Sequence, residues 1–159
     1  MKMRLLYAVL VLFVMIFNSC TSEALEETPI IEAVNNIALE QELLDIVNTH
    51  RVSLELIDLE FSDVAYKYAN KHTDYMIAKG SISHDNFSSR ASNIHSEAVV
   101  EMVAENVAKD YDTATEAFNG WYNSSSHKKT MEGDFTHTAV SVKQDERGNY
   151  YFTQLFYKK

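Results

Sequence analysis

The apolar side chains of this sequence repeat with two different periods, and that change of period limits the folds open to the chain. Over most of residues 37–124 they recur at steps of three and four, which predicts amphipathic helices. In the last third the period falls to two, with Thr138, Val140 and Val142 on one face, which predicts a strand. Because helices come first and a strand pair closes the chain, we expect an α+β domain with helices packed on an antiparallel sheet.

The clearest helix occupies the residues before Gly80. Its apolar stripe consists of Phe61, Val64, Ala65, Tyr68, Ala69, His72 and Met76. Either Ser53 or Ser62 can cap a helix start, and Gly80 fits a helix end. His72 lies on the apolar stripe, so we expect it to be a buried histidine with one hydrogen-bond partner.

Three other segments complete the pattern. Residues 37–50 carry a helical stripe, and residues 99–108 are rich in β-branched side chains that suit a short strand. A further helical stripe consists of Ala114, Ala117, Phe118 and Trp121. We expect Trp121 in the core, and Ser124, one turn further on, to look inward. The segment DERGN predicts a hairpin turn with Gly148 at positive φ.

The N-terminus predicts a secretion signal that is not part of the fold. Lys2 and Arg4 precede LLYAVLVLFVMIF, an apolar run shaped like the central region of a signal peptide and short for a membrane span. Cys20 follows, with Ser19 before it, and this junction resembles a bacterial lipobox, in which the cysteine is lipidated and becomes the mature N-terminus. Phe17 departs from the usual leucine of that motif, and an uncleaved anchor helix is the alternative.

These features divide the chain into three parts. We expect a signal peptide over residues 1–19, an acidic tether over residues 20–36 that starts at a lipidated Cys20, and a folded domain over residues 37–159. Cys20 is the only cysteine, which excludes a disulfide within one molecule. The net charge of -9 argues against nucleic acid as a partner, because such proteins present a basic patch.

Three polar residues are candidates for a site: His84 in ISHDNF, Glu105 in AENVA and His127 in SSSHKK. None of them belongs to a dense ligand motif such as HExxH, so spacing alone does not unite them. The serines before His127 suggest a nucleophile and its base, but a hydrolase serine also needs an orienting carboxylate and oxyanion donors. No G-x-S-x-G segment is present, and we interpret these serines as caps of the next helix.

The order of the segments resembles the CAP superfamily, which contains the cysteine-rich secretory proteins, antigen 5, the pathogenesis-related proteins and bacterial SCP-like proteins. The similar segments are LLDIVNTHR, ANKHTDYM, GSISHDNFSSR, AENVA, GWYNSSSHKKTM and the closing pair FTHTAVSV and YYFTQLF. They run from about Leu43 to Phe156. The resemblance implies an α-β-α sandwich with helices packed on both sides of a small antiparallel sheet.

The resemblance also implies a cleft of two histidines and two glutamates. His84 and His127 match the family's histidines and Glu105 matches its first glutamate, whereas Ser124 stands in place of the second. Ser126 replaces the glycine that precedes the second histidine. Carried over, His84, Glu105 and His127 could hold a divalent metal such as zinc, weakly, because Ser124 supplies no second carboxylate.

The resemblance leaves function open, because no common reaction unites the family. Our first hypothesis is an extracytoplasmic binding module rather than an enzyme, anchored to the bacterial membrane or cell surface by the lipid on Cys20. Its His/Glu cleft would take an envelope or extracellular ligand: a lipid, a peptide or a protein. The alternatives are a metal-dependent hydrolase that uses His84, Glu105 and His127, and a structural envelope protein.

Overall fold

Five α-helices and four β-strands make up residues 32–159, the part of the chain that the computed structural model describes. In chain order they are α1 (Ile37–Ser53), β1 (Glu60–Phe61), α2 (Asp63–Lys79), α3 (Phe87–Ala98), β2 (Met102–Lys109), α4 (Ala114–Tyr122), α5 (Ser125–Met131), β3 (His137–Gln144) and β4 (Tyr150–Lys158). The predicted signal peptide, Cys20 and most of the predicted tether lie outside the described residues.

The strands form one sheet in the order β1-β3-β4-β2. β3 and β4 form the predicted hairpin, and Gly148 in their turn has φ 89°. β2 pairs with β4 along its whole length, in antiparallel register with Asn106 opposite Gln154. The two-residue β1 joins the other edge parallel to β3, so a sheet that we predicted to be antiparallel is mixed. The predicted α-β-α sandwich is confirmed.

Alternation along the strands gives the sheet two covered faces. One face, with Val140, Phe152 and Phe156, packs against α1, α4 and α5 and contains the largest apolar cluster. The other packs against α2 and α3 around Leu155. Trp121 belongs to the first cluster with 1% of its surface exposed, and its indole nitrogen donates to the carbonyl of Val107 at 3.1 Å, which confirms its core position.

Local signals set the bounds of α2, although Phe61, which we placed on its stripe, lies in β1 and is exposed. The Ser62 hydroxyl accepts from the amide of Ala65 at 3.1 Å and caps the start of the helix. Gly80 ends it in the left-handed conformation at φ 74°. Because both ends are fixed, the helix presents His72 to the sheet side, where it is almost fully buried.

Residues 33–36, which we assigned to the tether, make hydrogen bonds to the folded domain. The amide of Ala33 donates to Asp74 Oδ1 at 2.9 Å, and Asn35 forms an antiparallel bridge with Lys143 of β3. The side-chain amide of Asn35 donates to Glu40 and Asn70, each at 2.5 Å. This part of the predicted tether therefore extends the edge of β3, and it carries no periodicity because backbone and amide groups make its contacts.

A chain that starts at residue 37 should therefore be less stable than one that starts at residue 32. The truncation removes several partly buried hydrogen bonds, each worth about 1 kcal/mol, so the melting temperature should fall by about 5–10 °C. Differential scanning calorimetry on the two chains measures the change. Val34→Ala in the longer chain is the matched control, because Val34 lies in the same segment with its side chain exposed. Equal melting temperatures would show that residues 33–36 contribute nothing to the fold.

Candidate functional site

The candidate site surrounds β2, a strand that pairs on one side only, with β4. Successive side chains of a strand point to opposite faces, so the neighbours Glu105 and Asn106 reach opposite layers of the domain. Glu105 meets Arg90 of α3 and His84, which follows α2. Asn106 meets α5, where its amide nitrogen donates to the carbonyl of His127 at 3.1 Å. One dipeptide of the edge strand thus holds an element on each face.

The carboxylate of Glu105 is the centre of the first group. Its side chain is 1% exposed, and Arg90 pairs with both oxygens: Nε lies 2.9 Å from Oε2 and Nη2 lies 2.8 Å from Oε1. This two-bond geometry is the strongest form of ion pair between side chains. Arg90 also donates to the carbonyl of Asp85 at 2.5 Å, which ties the loop carrying His84 to α3. The pair therefore compensates a buried charge and fixes that loop.

His84 is the exposed member of the group. Its Nδ1 lies 2.9 Å from Glu105 Oε1, while 52% of its side chain is accessible to solvent. A carboxylate that is paired with arginine only accepts hydrogen bonds, so Nδ1 carries the proton and Nε2 of the neutral ring is an acceptor. The ring is thus held in one tautomer and one orientation at the surface.

His72 lies beneath the group and has a different role. Its Nε2 donates to the carbonyl of Ser83 at 2.7 Å and lies 3.7 Å from Glu105 Oε1. Burial lowers the pKa of His72, and the charge of Glu105 opposes that shift. The predicted buried histidine with one hydrogen-bond partner is confirmed, and it supports the backbone just before His84.

His127 comes from the other face of the sheet. It lies in α5 and is partly buried, which lowers the pKa of its ring, and His84, when protonated, lowers it further. The Asn106 side chain holds the carbonyl of His127 on the opposite face of the sheet from Glu105, and within residues 32–159 no hydrogen bond joins His127 to His84 or Glu105.

Ser124 differs from our expectation in two respects. It precedes α5 at the capping position, but its hydroxyl makes no capping hydrogen bond and lies 3.2 Å from the Ser126 hydroxyl instead. Its side chain is also partly exposed, not directed into the core. Within residues 32–159, neither hydroxyl hydrogen-bonds to a histidine ring, so no serine–histidine couple is present.

The described residues do not fit the metal set that the resemblance implied. Within residues 32–159, no three His, Asp, Glu or Cys side chains are placed to hold a metal ion. Both oxygens of Glu105 accept from Arg90, whose positive charge would lie beside the metal. We therefore derive no chemical step through a metal at His84, Glu105 and His127.

Sequence reasoning missed Arg90 as a member of the site. The residue was visible in GSISHDNFSSR, six positions after His84, but its spacing alone gave no reason to pair it with a glutamate on a later strand. An unpaired buried carboxylate is costly, so a search for a cation near Glu105 is the signal that would have found it.

The two lowered histidine pKa values predict that the domain loses stability in mild acid. The pKa of an unfolded histidine is about 6.5, so below that pH the unfolded chain binds more protons than the folded one. The contribution of His72 and His127 is fully present above about pH 6.5 and is lost as pH falls. The melting temperature should be lower at pH 5.5 than at pH 7.5, and His72→Asn with His127→Gln should reduce that difference. An unchanged pH dependence in the double variant would contradict the assignment.

The sequence matches a known protein family over most of the described residues. A family model described as the Cysteine-rich secretory protein family, CAP, matches residues 44–156. Over 124 residues the chain is 30% identical to the "Uncharacterized membrane protein YlbC" of Bacillus subtilis (strain 168), an overlap of 76% of this chain and 34% of that protein. The chain thus spans about a third of that relative's length.

Two solved structures share the fold. An outer surface protein from Borrelia burgdorferi superposes with a TM-score of 0.67 at 22% identity, over 75% of this chain and 91% of that one. An extracellular protein containing a SCP domain from Bacillus anthracis str. Ames also has a TM-score of 0.67, at 23% identity, over 77% of this chain and 41% of that one. Within residues 32–159, no helix is long and apolar enough to cross a bilayer. The matched family model and the α-β-α sandwich together show that the chain belongs to the cysteine-rich secretory protein (CAP) family.

Proposed function

We propose that this protein is an extracytoplasmic CAP-domain binding module whose cleft, formed by His84, Glu105 and His127, recognises a polar group of an envelope or extracellular ligand. One observation carries the proposal: Glu105 is fully engaged by Arg90, while His84, hydrogen-bonded to the same carboxylate, stays half exposed. An imidazole held in one tautomer offers a fixed acceptor to a ligand with little loss of side-chain entropy on binding.

The same observation argues against hydrolysis at this cleft. Hydrolysis needs a general base beside a nucleophile, and the free Nε2 of His84 offers a base, but no hydroxyl of residues 32–159 hydrogen-bonds to it. Glu105 accepts from Arg90 with both oxygens, and the hydroxyls of Ser124 and Ser126 pair with each other. The metal-dependent hydrolase that we weighed from sequence would also need ligands that these residues do not supply. Recognition is the role that the geometry supports best.

The proposed location rests on the N-terminus and on the relatives. Lys2, Arg4, the apolar run and Cys20 have the order of a lipoprotein signal. The B. subtilis relative is described as a membrane protein, and the two solved structures are described as an outer surface protein and an extracellular protein. A domain outside the cytoplasm, held to the membrane by a lipid on Cys20, agrees with both.

Comparative capture tests the cleft. The full-length wild type and His84→Ala are immobilised, exposed to envelope extract, and the bound molecules are quantified by mass spectrometry. Loss of a central recognition residue costs more than about 1.4 kcal/mol, so the specific ligand should fall by roughly tenfold or more in the variant. His95→Ala, an exposed histidine on α3, is the matched control and should retain the ligand. Identical ligands on all three proteins would contradict the cleft, and loss of capture on adding a chelator would favour the metal alternative.

Cys20→Ala tests the anchor. The wild type should incorporate a fatty-acid probe and sediment with membranes, whereas the variant should do neither. A single acyl chain holds a protein only marginally, so stable sedimentation predicts more than one chain on Cys20. Ser19→Ala is the control, because it leaves the cysteine in place. Normal labelling of the Cys20 variant would overturn the lipid anchor.

A further inference from the structure

A second concave surface lies at the opposite edge of the sheet from the His84 cleft. It is a groove of about 300 Å³ between α1, α2 and β1, at the small end of the range in which small molecules bind. Its apolar wall consists of Ile37, Leu44, Phe61 and Val140. The side chains of Ile37 and Phe61 are largely exposed at its mouth, so the groove presents apolar surface that the domain itself does not cover.

The polar floor of the groove is the carboxylate of Glu40. The residue is 7% exposed, and Oε1 accepts from the amide of Val142 at 2.9 Å and from Asn35 at 2.5 Å. Oε2 accepts from the Tyr66 hydroxyl at 2.8 Å and keeps room for a further donor, because a carboxylate oxygen accepts about two hydrogen bonds.

Glu40 differs from the buried carboxylates of Glu105 and Asp74 because no cationic side chain of residues 32–159 pairs with its negative charge. Glu105 pairs with Arg90 and Asp74 pairs with Lys143, whereas no Lys, Arg or His of residues 32–159 lies within ion-pair distance of Glu40. Its hydrogen bonds and its place in the first turn of α1 offset part of the charge. Burial and the hydrogen bond to Glu40 raise the pKa of Tyr66 to about 12, so that hydroxyl remains a donor at neutral pH.

Two aromatic rings stand beside this carboxylate. Phe61 and Tyr66 lie with ring centroids 5.5 Å apart and an interplanar angle of 55°, and both line the groove. The faces of such rings attract cations. The remaining lining residue, Gln41, is neutral, so residues 32–159 give the groove one negative charge and no positive one. The net charge of -9 adds to the attraction for a cation.

From this arrangement we propose that the groove binds a small organic ammonium ion, with its apolar body against Leu44 and Val140 and its charged nitrogen between Glu40 and the Phe61 and Tyr66 rings. The site is separate from the His84 cleft, which lies at the β2 edge, and the proposal does not depend on that cleft. No group is transferred: the ligand supplies the countercharge that Glu40 lacks.

A series of three probes with one aromatic ring and different charge tests the ligand class. Phenethylammonium, phenethyl alcohol and phenylacetate are titrated into the isotope-labelled full-length protein and followed by amide NMR shifts. Phenethylammonium should bind at least tenfold more tightly than the alcohol, and phenylacetate most weakly, with the shifts centred on Ile37, Phe61 and Val140. Raising the salt concentration should weaken binding of the ammonium ion but not binding of the neutral alcohol. Equal affinities, tighter binding of phenylacetate, or no saturable binding of phenethylammonium would each overturn the proposal.

Variants assign the binding to individual groups. Glu40→Gln keeps acceptor and donor atoms but removes the charge, so the ammonium ion should bind no better than the alcohol. Glu40 also accepts hydrogen bonds from Asn35 and Tyr66, so its substitution could disturb the fold, and two exposed positions provide independent tests. Phe61→Ala should weaken binding of the ammonium ion at least threefold. Ile37→Trp should weaken binding of all three probes, because the larger side chain fills the mouth of the groove. Val34→Ala and His84→Ala should leave all affinities unchanged. Wild-type affinities in both Phe61→Ala and Ile37→Trp would place the binding elsewhere.

Discussion

A buried guanidinium that binds only carbonyl groups holds the domain together. Arg51, at the end of α1, is 1% exposed and donates to the carbonyls of Ile57, Met131, Gly133 and Phe135, at distances from 2.7 to 3.3 Å. Burial lowers the pKa of Arg51, but an arginine side chain remains protonated in proteins. Each buried carbonyl left without a donor costs about 1–3 kcal/mol. This one side chain therefore supplies hydrogen bonds to several carbonyls that would otherwise lack a donor.

The two edges of the sheet differ in their electrostatics. Arg51 joins the loop before β1, at one edge of the sheet, to the segment between α5 and β3. At the β2 edge, Glu105 is neutralised by Arg90 and its remaining partner is the exposed His84. At the β1 edge, the donors to Glu40 from the described part of the chain are all neutral. The first edge therefore offers an imidazole to a ligand, and the second offers a negative charge.

Sequence patterns predicted the parts of this fold that depend on periodicity or on single-residue signals. The stripe of α2 and its end at Gly80 were predicted, and Ser62 was one of two candidate caps, because burial of one helix face and a left-handed end leave direct marks on the sequence. β1 was missed because two residues cannot show a period. Asn35 was assigned to a tether because its amide and backbone contacts are independent of apolar spacing. The other site residues were predicted from the family resemblance. The role of Arg90 emerged only from the structure, because its partner Glu105 lies on a different element, β2.

The dipeptide Glu105–Asn106 also explains why β2 adopts one register. A slip of one residue against β4 would turn Glu105 toward the apolar layer that contains Trp121, and would remove Asn106 from the His127 carbonyl. Either change would leave a buried polar group without a hydrogen-bond partner. The loss of the Arg90 pair would also leave the charge of Glu105 uncompensated. The observed register has a cost of its own, because the side-chain carbonyl oxygens of Asn106 and of Gln154 opposite it are buried and accept no hydrogen bond from residues 32–159. The residues that build the candidate site therefore also select the strand pairing that positions it.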